Sequence, residues 1–318
     1  MVKAEYLGWG IHVLDTAYQR EHMAACYVME QDGEVAIIET GTKDTVPLIF
    51  AFLEQHNLPS SAIKYVMPTH VHLDHAGGAG LLMQALPHAQ LVVHPQGARH
   101  MIDPSKLQAG ATAVYGEAMF QSVYGDLLPI DPAQVMSVED GQTLKLGSRT
   151  LTFLDTPGHA RHHYCVFDDV SEGFFTGDTF GLAYQELTTH NGPFIFPTTT
   201  PVQFDPEALK ASIKRLLSYE PKRMFLTHYS MVENPQELGK RLLYLVDEFV
   251  RIALEVQEQV PVDQWLNELN GRLLRYLMND LSQHETTLSS AEYAQVIASD
   301  VLLNAQGIEV WLHKNQAA

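Results

Sequence analysis

The sequence predicts an α/β fold with a helical extension at its C-terminal end. Two observations carry this. Up to about residue 234, short apolar runs bounded by Gly, Asp, Pro and Ser alternate with amphipathic stretches of helical period. From residue 235 to 318 only the helical period remains, with apolar residues three and four positions apart. The organisation read from this change of texture is one α/β domain over 1–234 and a helical extension over 235–318.

Taken in order, Tyr6 to Leu14 and Met23 to Glu30 read as strands, and Gln31-Asp32-Gly33 as a turn into Glu34 to Ile38. Asp44 is the expected N-cap of a helix to about His56, with Val46, Ile49, Phe50 and Leu53 on one face. A short apolar strand leads to Pro68, a helix is expected from His75 to Ala85, and Gln90 to Val93 is the next strand. The segment from His94 to Gly125 reads as an inserted helical stretch, either covering a site or forming a surface helix pair. Gln134 to Val138, Gln142 to Leu146, Arg149 to Leu154, Tyr164 to Phe167 and Gly173 to Thr176 are the strands of a second set. Thr179 to Pro201 is rich in Phe, Tyr, Thr and Pro without periodicity and reads as a loop. Asp205 caps a helix through Leu217 with Pro206 at its first position, and Arg223 to Leu226 is the last strand. The extension reads as three helices, Leu238 to about Gln257, Val262 to about Leu281, and Ser289 to about Leu303. They either pack as an appendage, shape a substrate pocket or make a homodimer contact.

Composition narrows the function classes. At 318 residues, 46% of them hydrophobic, the chain can bury a large core. Against 38 Asp and Glu stand 20 Lys and Arg, a formal net charge of -18 that argues against a nucleic-acid or anionic-membrane partner. Cys26 and Cys165 are the two cysteines, too few for a disulfide framework or a thiolate zinc site. No basic start followed by an apolar stretch opens the chain, and no apolar run approaches membrane-spanning length, so a cytoplasmic protein is expected.

The chemistry concentrates in Thr69-His70-Val71-His72-Leu73-Asp74-His75-Ala76-Gly77-Gly78. On an extended or tightly turned segment His70 and His72 point the same way, while Asp74 and His75 wrap to a second point beyond them, so one segment can start two adjacent metal sites. Imidazole nitrogen and carboxylate oxygen are ligands for zinc and its first-row neighbours; iron and manganese stay open. The alternative is a histidine-rich solvated turn.

This run, following a strand that ends in Thr, resembles the signature of the metallo-β-lactamase-fold hydrolases, glyoxalase II among them. Their later motifs also have counterparts in order: Thr156-Pro157-Gly158-His159, Thr176-Gly177-Asp178-Thr179 and Leu226-Thr227-His228-Tyr229. The resemblance covers roughly residues 1 to 232. It implies a four-layer αββα sandwich with the C-terminal helices added. It also implies two divalent metal ions, zinc by preference: one held by His70, His72 and His159, the other by Asp74, His75 and His228, with Asp178 between them. Activity would then be metal-dependent hydrolysis by a metal-bridging hydroxide, with Asp74 as the catalytic carboxylate. Glu39 stands where the family usually has Asp, a position that orients a ligand histidine.

Departures from known branches narrow the substrate. Dinuclear zinc β-lactamases carry Cys at the position of Asp178; glyoxalase II follows that position with a Gly-Cys-Gly-Arg-like segment absent here; acyl-homoserine lactonases place Tyr where this chain has Gly181. A small ester, lactone or thioester is the expected substrate. A small phosphodiester, or an iron-bearing redox or dioxygenase role, is the alternative. His94, His100 and His190 are further candidates for the pocket.

Overall fold

The computed structural model describes residues 2–316, the side chains of Val114 and Tyr115 apart. They divide into two compact units, one of 2–155, 162–177 and 222–231, the other of 156–161, 178–221 and 232–316.

In the first unit the strands β1 (Ala4–Gly8), β2 (Ile11–Asp15), β3 (Ala25–Gln31) and β4 (Glu34–Ile38) form an antiparallel meander. It continues in parallel through β5 (Ile63–Met67), β6 (Gln90–Val93) and β7 (Val135–Ser137), giving a seven-stranded sheet in sequence order. The parallel half needs crossovers. Helix α1 (Thr45–Gln55) supplies the first, and α2 (Leu73–Ala76) with α3 (Ala79–Ala85) the second. The third contains α4 (Pro95–Ile102), α5 (Ser105–Tyr115) and α6 (Glu117–Val123). A second sheet has the order β13-β12-β11-β10-β9-β8, from β8 (Thr143–Leu146), β9 (Arg149–Asp155), β10 (Tyr164–Asp168), β11 (Gly173–Gly177), β12 (Arg223–Leu226) and β13 (Ser230–Glu233). It is antiparallel from β8 to β11 and parallel between β11 and β12.

Alternation along the strands builds two cores. Cys26, Val28, Val35, Ile37, Leu91 and Val93 join Ile49, Phe52 and Leu82 beneath the helices. The intervening Tyr27, Met29, Ala36, Ile38 and Val92 face Phe153, Val166, Phe175 and Phe225 of the second sheet. From β3 to β6 both faces of the first sheet are therefore dry, which is why these strands read as near-continuous apolar runs, while the edge strand β1 is largely exposed.

The second unit contains the loop from 178 to 205, α7 (Pro206–Leu217), α8 (Pro235–Gln259), α9 (Trp265–Gln283) and α10 (Ser290–Gln316). Asp205 caps α7 by accepting from the Ala208 N–H at 3.1 Å, as its sequence position requires. The helices of the extension expose polar faces and bury Leu242, Phe249, Leu269, Leu277, Ile297 and Ile308.

Five local expectations need correction. Val135–Ser137, expected in the second set of strands, pairs in parallel with β6 and ends the first sheet as β7, and Arg223–Leu226 is followed by one more strand, β13. Asp44 precedes α1 but makes no side-chain cap; its carboxylate pairs with Lys43 instead, and the Thr45 hydroxyl accepts from the Thr42 N–H. The helix expected from His75 to Ala85 is two short helices parted at Gly77-Gly78, where a Cβ would lie 2.3 Å from the Leu73 carbonyl oxygen or 2.7 Å from that of Thr40. The last helix runs beyond Leu303 to Gln316, and Asn304 and Gly307, residues that favour helix ends in a bare sequence, lie buried inside it.

Arg149 and Asp168 form a fully buried ion pair at 2.9 Å, and Asp168 also accepts from the Ser171 N–H at 3.0 Å. Burial pushes the Asp168 carboxyl above the usual carboxylate range, against the pull of these donors. Arg149→Leu removes the partner and leaves the carboxylate uncompensated, so a loss of about 3–5 kcal/mol in urea denaturation is expected. An unchanged midpoint would show the pair to be dispensable.

Candidate metal centre

The run from His70 to His75 lies just beyond the end of β5, in the first unit. At the end of β4, Glu39 adopts a left-handed conformation (φ 63) and is fully buried. Its carboxylate accepts from the Thr69 N–H at 3.1 Å, the Thr69 hydroxyl at 2.6 Å and the Thr227 hydroxyl at 2.9 Å. The same group faces His75 Nδ1 at 3.0 Å. A carboxylate only accepts, so the proton sits on Nδ1 and the Nε2 lone pair of His75 is left to bind. The helix carrying His75 is held from behind: the Thr40 N–H donates to the His75 carbonyl at 2.7 Å, and Gly78 N–H to that of Gly41 at 2.8 Å.

His228, just after β12, is set by the same logic. Its Nδ1 lies 2.6 Å from the Met23 carbonyl, which can only accept, so its Nε2 also presents a lone pair. Asp74 Oδ2 lies 3.4 Å from that Nε2 and 3.6 Å from His75 Nε2. Ligand atoms of Asp74, His75 and His228 all fall within 4.8 Å of one another, a cluster that could hold a cation. Beside it, His70 Nε2 and His72 Nδ1 converge to 2.8 Å, and the ring of His163 stacks on His70 at 4.9 Å. Gly177 (φ 47) permits this crowding, because a Cβ there would meet the Thr69 hydroxyl at 2.4 Å and His163 Nε2 at 2.5 Å.

His162 accepts from the Val71 N–H through Nδ1 at 3.5 Å, and its ring lies 5.6 Å from that of His72. Burial, then the nearby His72, His100 and His94, push it down to about 3, so it is neutral near pH 7. Helix α4 closes on this loop at Gly97, where a Cβ would lie 2.9 Å from the Val71 side chain, while α5 is largely exposed. His94 caps α4 and bonds Asp155 at 3.2 Å, and His190 is an exposed partner of Glu285.

The second unit brings the other two residues together. Gly158 (φ 129) lies against the start of α7, where a Cβ would meet Leu209 N at 2.2 Å, and the Asp205 N–H donates to the Gly158 carbonyl at 2.8 Å. His159 follows, fully buried, with Nε2 3.3 Å from Asp178 Oδ2 and Nδ1 2.6 Å from the Thr198 hydroxyl. Thr198 also donates to Asp178 Oδ2 at 3.4 Å. Sequence reasoning missed Thr198, which sits in a Pro-Thr-Thr-Thr run with no periodicity or spacing to mark it.

The family model described as the metallo-beta-lactamase superfamily matches residues 20–228. The chain belongs to that superfamily. It is 28% identical over 257 residues to the metallo-beta-lactamase fold-containing protein ST1585 of Sulfurisphaera tokodaii, covering 80% of this chain and 87% of the relative. The solved structure of ST1585 superposes with a TM-score of 0.59 over 76% of this chain and 87% of its own. A hydroxyacylglutathione hydrolase of Prochlorococcus marinus is 23% identical, covering 72% of this chain and 83% of that protein. An atrochrysone carboxyl ACP thioesterase of Aspergillus fumigatus is 27% identical over 66% of this chain and 52% of its own length. The two mixed sheets flanked by helices are the α/β sandwich of the metallo-β-lactamase superfamily, with C-terminal helices added. Membership supports a metallohydrolase-type enzyme, and the His and Asp clusters could hold its divalent metals.

Glu39→Gln keeps the size of the side chain and removes the charge opposite His75. A zinc competition titration is expected to show affinity about 10–100-fold weaker. Wild-type affinity would mean that Glu39 serves the fold alone.

Proposed function

We propose that this chain hydrolyses a small carboxylic ester, lactone or thioester with two bound divalent cations, zinc by preference. On this reading His70, His72 and His159 hold one cation, Asp74, His75 and His228 the other, and Asp178 is shared. The observation that carries it is the convergence of Asp74, His75 and His228 with the Nδ1 protons of both histidines already committed elsewhere. Nitrogen and carboxylate donors with Nε2 lone pairs facing inward fit such ions. Bound divalent cations acidify water and stabilise negative charge developing on a carbonyl oxygen.

Asp74 is the exception among the residues of that cluster. Its side chain is 24% exposed where those of His75 and His228 are 0% and 7%, so it is the one that can exchange protons with water and substrate. On this reading it takes a proton from the attacking water and returns it to the leaving oxygen or sulfur. The acyl substrate class is supported by relatives named as a hydroxyacylglutathione hydrolase and an ACP thioesterase. The charge of -18 supports it too, since it offers a polyanion little attraction. Among the described residues no helix is long and apolar enough to cross a membrane.

Asp178→Ala is expected to lower zinc content by more than one equivalent by elemental analysis, because the ligand is shared; a mutant that keeps both ions rejects the dinuclear scheme. Asp74→Asn should lose turnover by about 10²–10⁴-fold even where some zinc remains. For the substrate, initial rates on a lactone and thioester panel are compared with those on bis-p-nitrophenyl phosphate and single-stranded RNA at matched zinc. Turnover confined to RNA would overturn the acyl reading, and turnover confined to the phosphodiester would move it to phosphoryl transfer.

A further inference from the structure

The contact between Thr198 and His159 raises a question of support, since a loop of 20-odd residues, braced within itself by one helical turn at Gln185–Leu187 and two isolated bridges, must hold one hydroxyl at 2.6 Å from a ring nitrogen. The support comes from α10. Asn304 is 1% exposed, and its side-chain oxygen accepts from the Thr199 N–H at 2.6 Å. Its amide nitrogen donates to the Pro197 carbonyl at 3.0 Å. These two groups belong to the two peptide units on either side of Thr198, so a single carboxamide pins the backbone before and after that residue. The opposed donor and acceptor also fix which way the amide points. The Thr199 hydroxyl adds a bond to the Asn304 main-chain carbonyl at 3.0 Å. Three residues on, Gly307 lets the helix approach further: a Cβ there would lie 1.5 Å from the Thr199 carbonyl oxygen.

What this grip controls is a tautomer. A threonine hydroxyl has one proton. With His159 binding through Nε2, its Nδ1 carries the proton and the Thr198 oxygen accepts it at 2.6 Å, which leaves the hydroxyl proton for Asp178 Oδ2 at 3.4 Å. That Nε2 lies 3.3 Å from Asp178 Oδ2 and 3.4 Å from the Thr200 hydroxyl. We infer that Asn304 is a positioning residue for metal binding: through Thr198, it holds His159 in the tautomer and orientation in which Nε2 is the ligand. This assigns a specific task to the C-terminal helix, and it rests on the proposed reading of His159 as a metal ligand.

The test uses the full-length protein, stripped of metal and titrated with Zn2+ alone against a chromophoric chelator. Asn304→Leu keeps the shape and removes both bonds; one of two zinc equivalents is expected to bind about 10–100-fold more weakly, the range for losing the partner of a ligand histidine. Thr198→Val leaves the Asn304 grip intact and removes only the hydroxyl, and is expected to give the same loss. Tyr184→Phe is the control: it removes a bond from the loop to Asp300 of α10, at 3.1 Å, without touching Thr198, and should bind zinc as wild type does. Wild-type affinity in either Asn304→Leu or Thr198→Val would overturn the inference, as would an equal loss in Tyr184→Phe, which would reduce the effect to helix docking. Should Asn304→Leu not fold by circular dichroism, Thr198→Val decides the matter. His159→Ala in the same titration separates the two levels. If it keeps both equivalents, the ligand reading itself fails; if it loses one while Asn304→Leu loses none, only the positioning role fails.

Discussion

The buried carboxylate of Glu39 is the constraint around which the first unit's cluster of Asp74, His75 and His228 is assembled. A charge taken out of water is costly unless its acceptor sites are filled. Here they are filled from the end of β5 by Thr69, from the end of β12 by Thr227, and from α2 by His75. The group that orients a histidine is therefore also the group that ties the edge of one sheet to the other. Burial makes each of these bonds stronger than it would be in water and leaves little freedom for the ring it holds.

The same device recurs with different chemistry. His75 gives its Nδ1 proton to a carboxylate, His228 to the Met23 main-chain carbonyl, and, on the proposed reading, His159 to the Thr198 hydroxyl. A carboxylate, a carbonyl and a hydroxyl with its proton committed are all acceptors, so each leaves Nε2 as the available lone pair. The acceptors come from a strand end, a loop before β3 and a loop braced by a helix. A histidine centre of this kind needs its acceptors in place as much as its rings.

Close backbone approach is the second requirement. Gly78 passes the carbonyl of Thr40, Gly158 the start of α7, and Gly177 the side chains of Thr69 and His163, at distances that no Cβ would permit. These glycines stand beside the ligand motifs because polar side chains can converge only where the backbone between them is bare. The fold contributes rigidity through two separate cores on either side of the first sheet, which hold the ends of β4 and β5 level with each other.

Much of this was legible in the bare sequence because it is local. The strand and helix alternation follows from periodicity, the α7 start from Asp205 and Pro206, and the run from His70 to His75 declares itself within six positions. The proposed distant ligands His159, Asp178 and His228 were legible only through resemblance, since nothing in their immediate neighbours compels a ligand. The break at Gly77-Gly78 and the continuation of α10 past Asn304 went unread, because the rules for helix ends assume solvent where the structure has packed backbone. What the tertiary structure alone decided is which ring nitrogen each histidine offers. That depends on acceptors far away in the chain, Thr227 lying 188 residues from Glu39 and Asn304 lying 105 from Thr199, and a hydrogen bond's direction is set by the partner's lone pairs and protons.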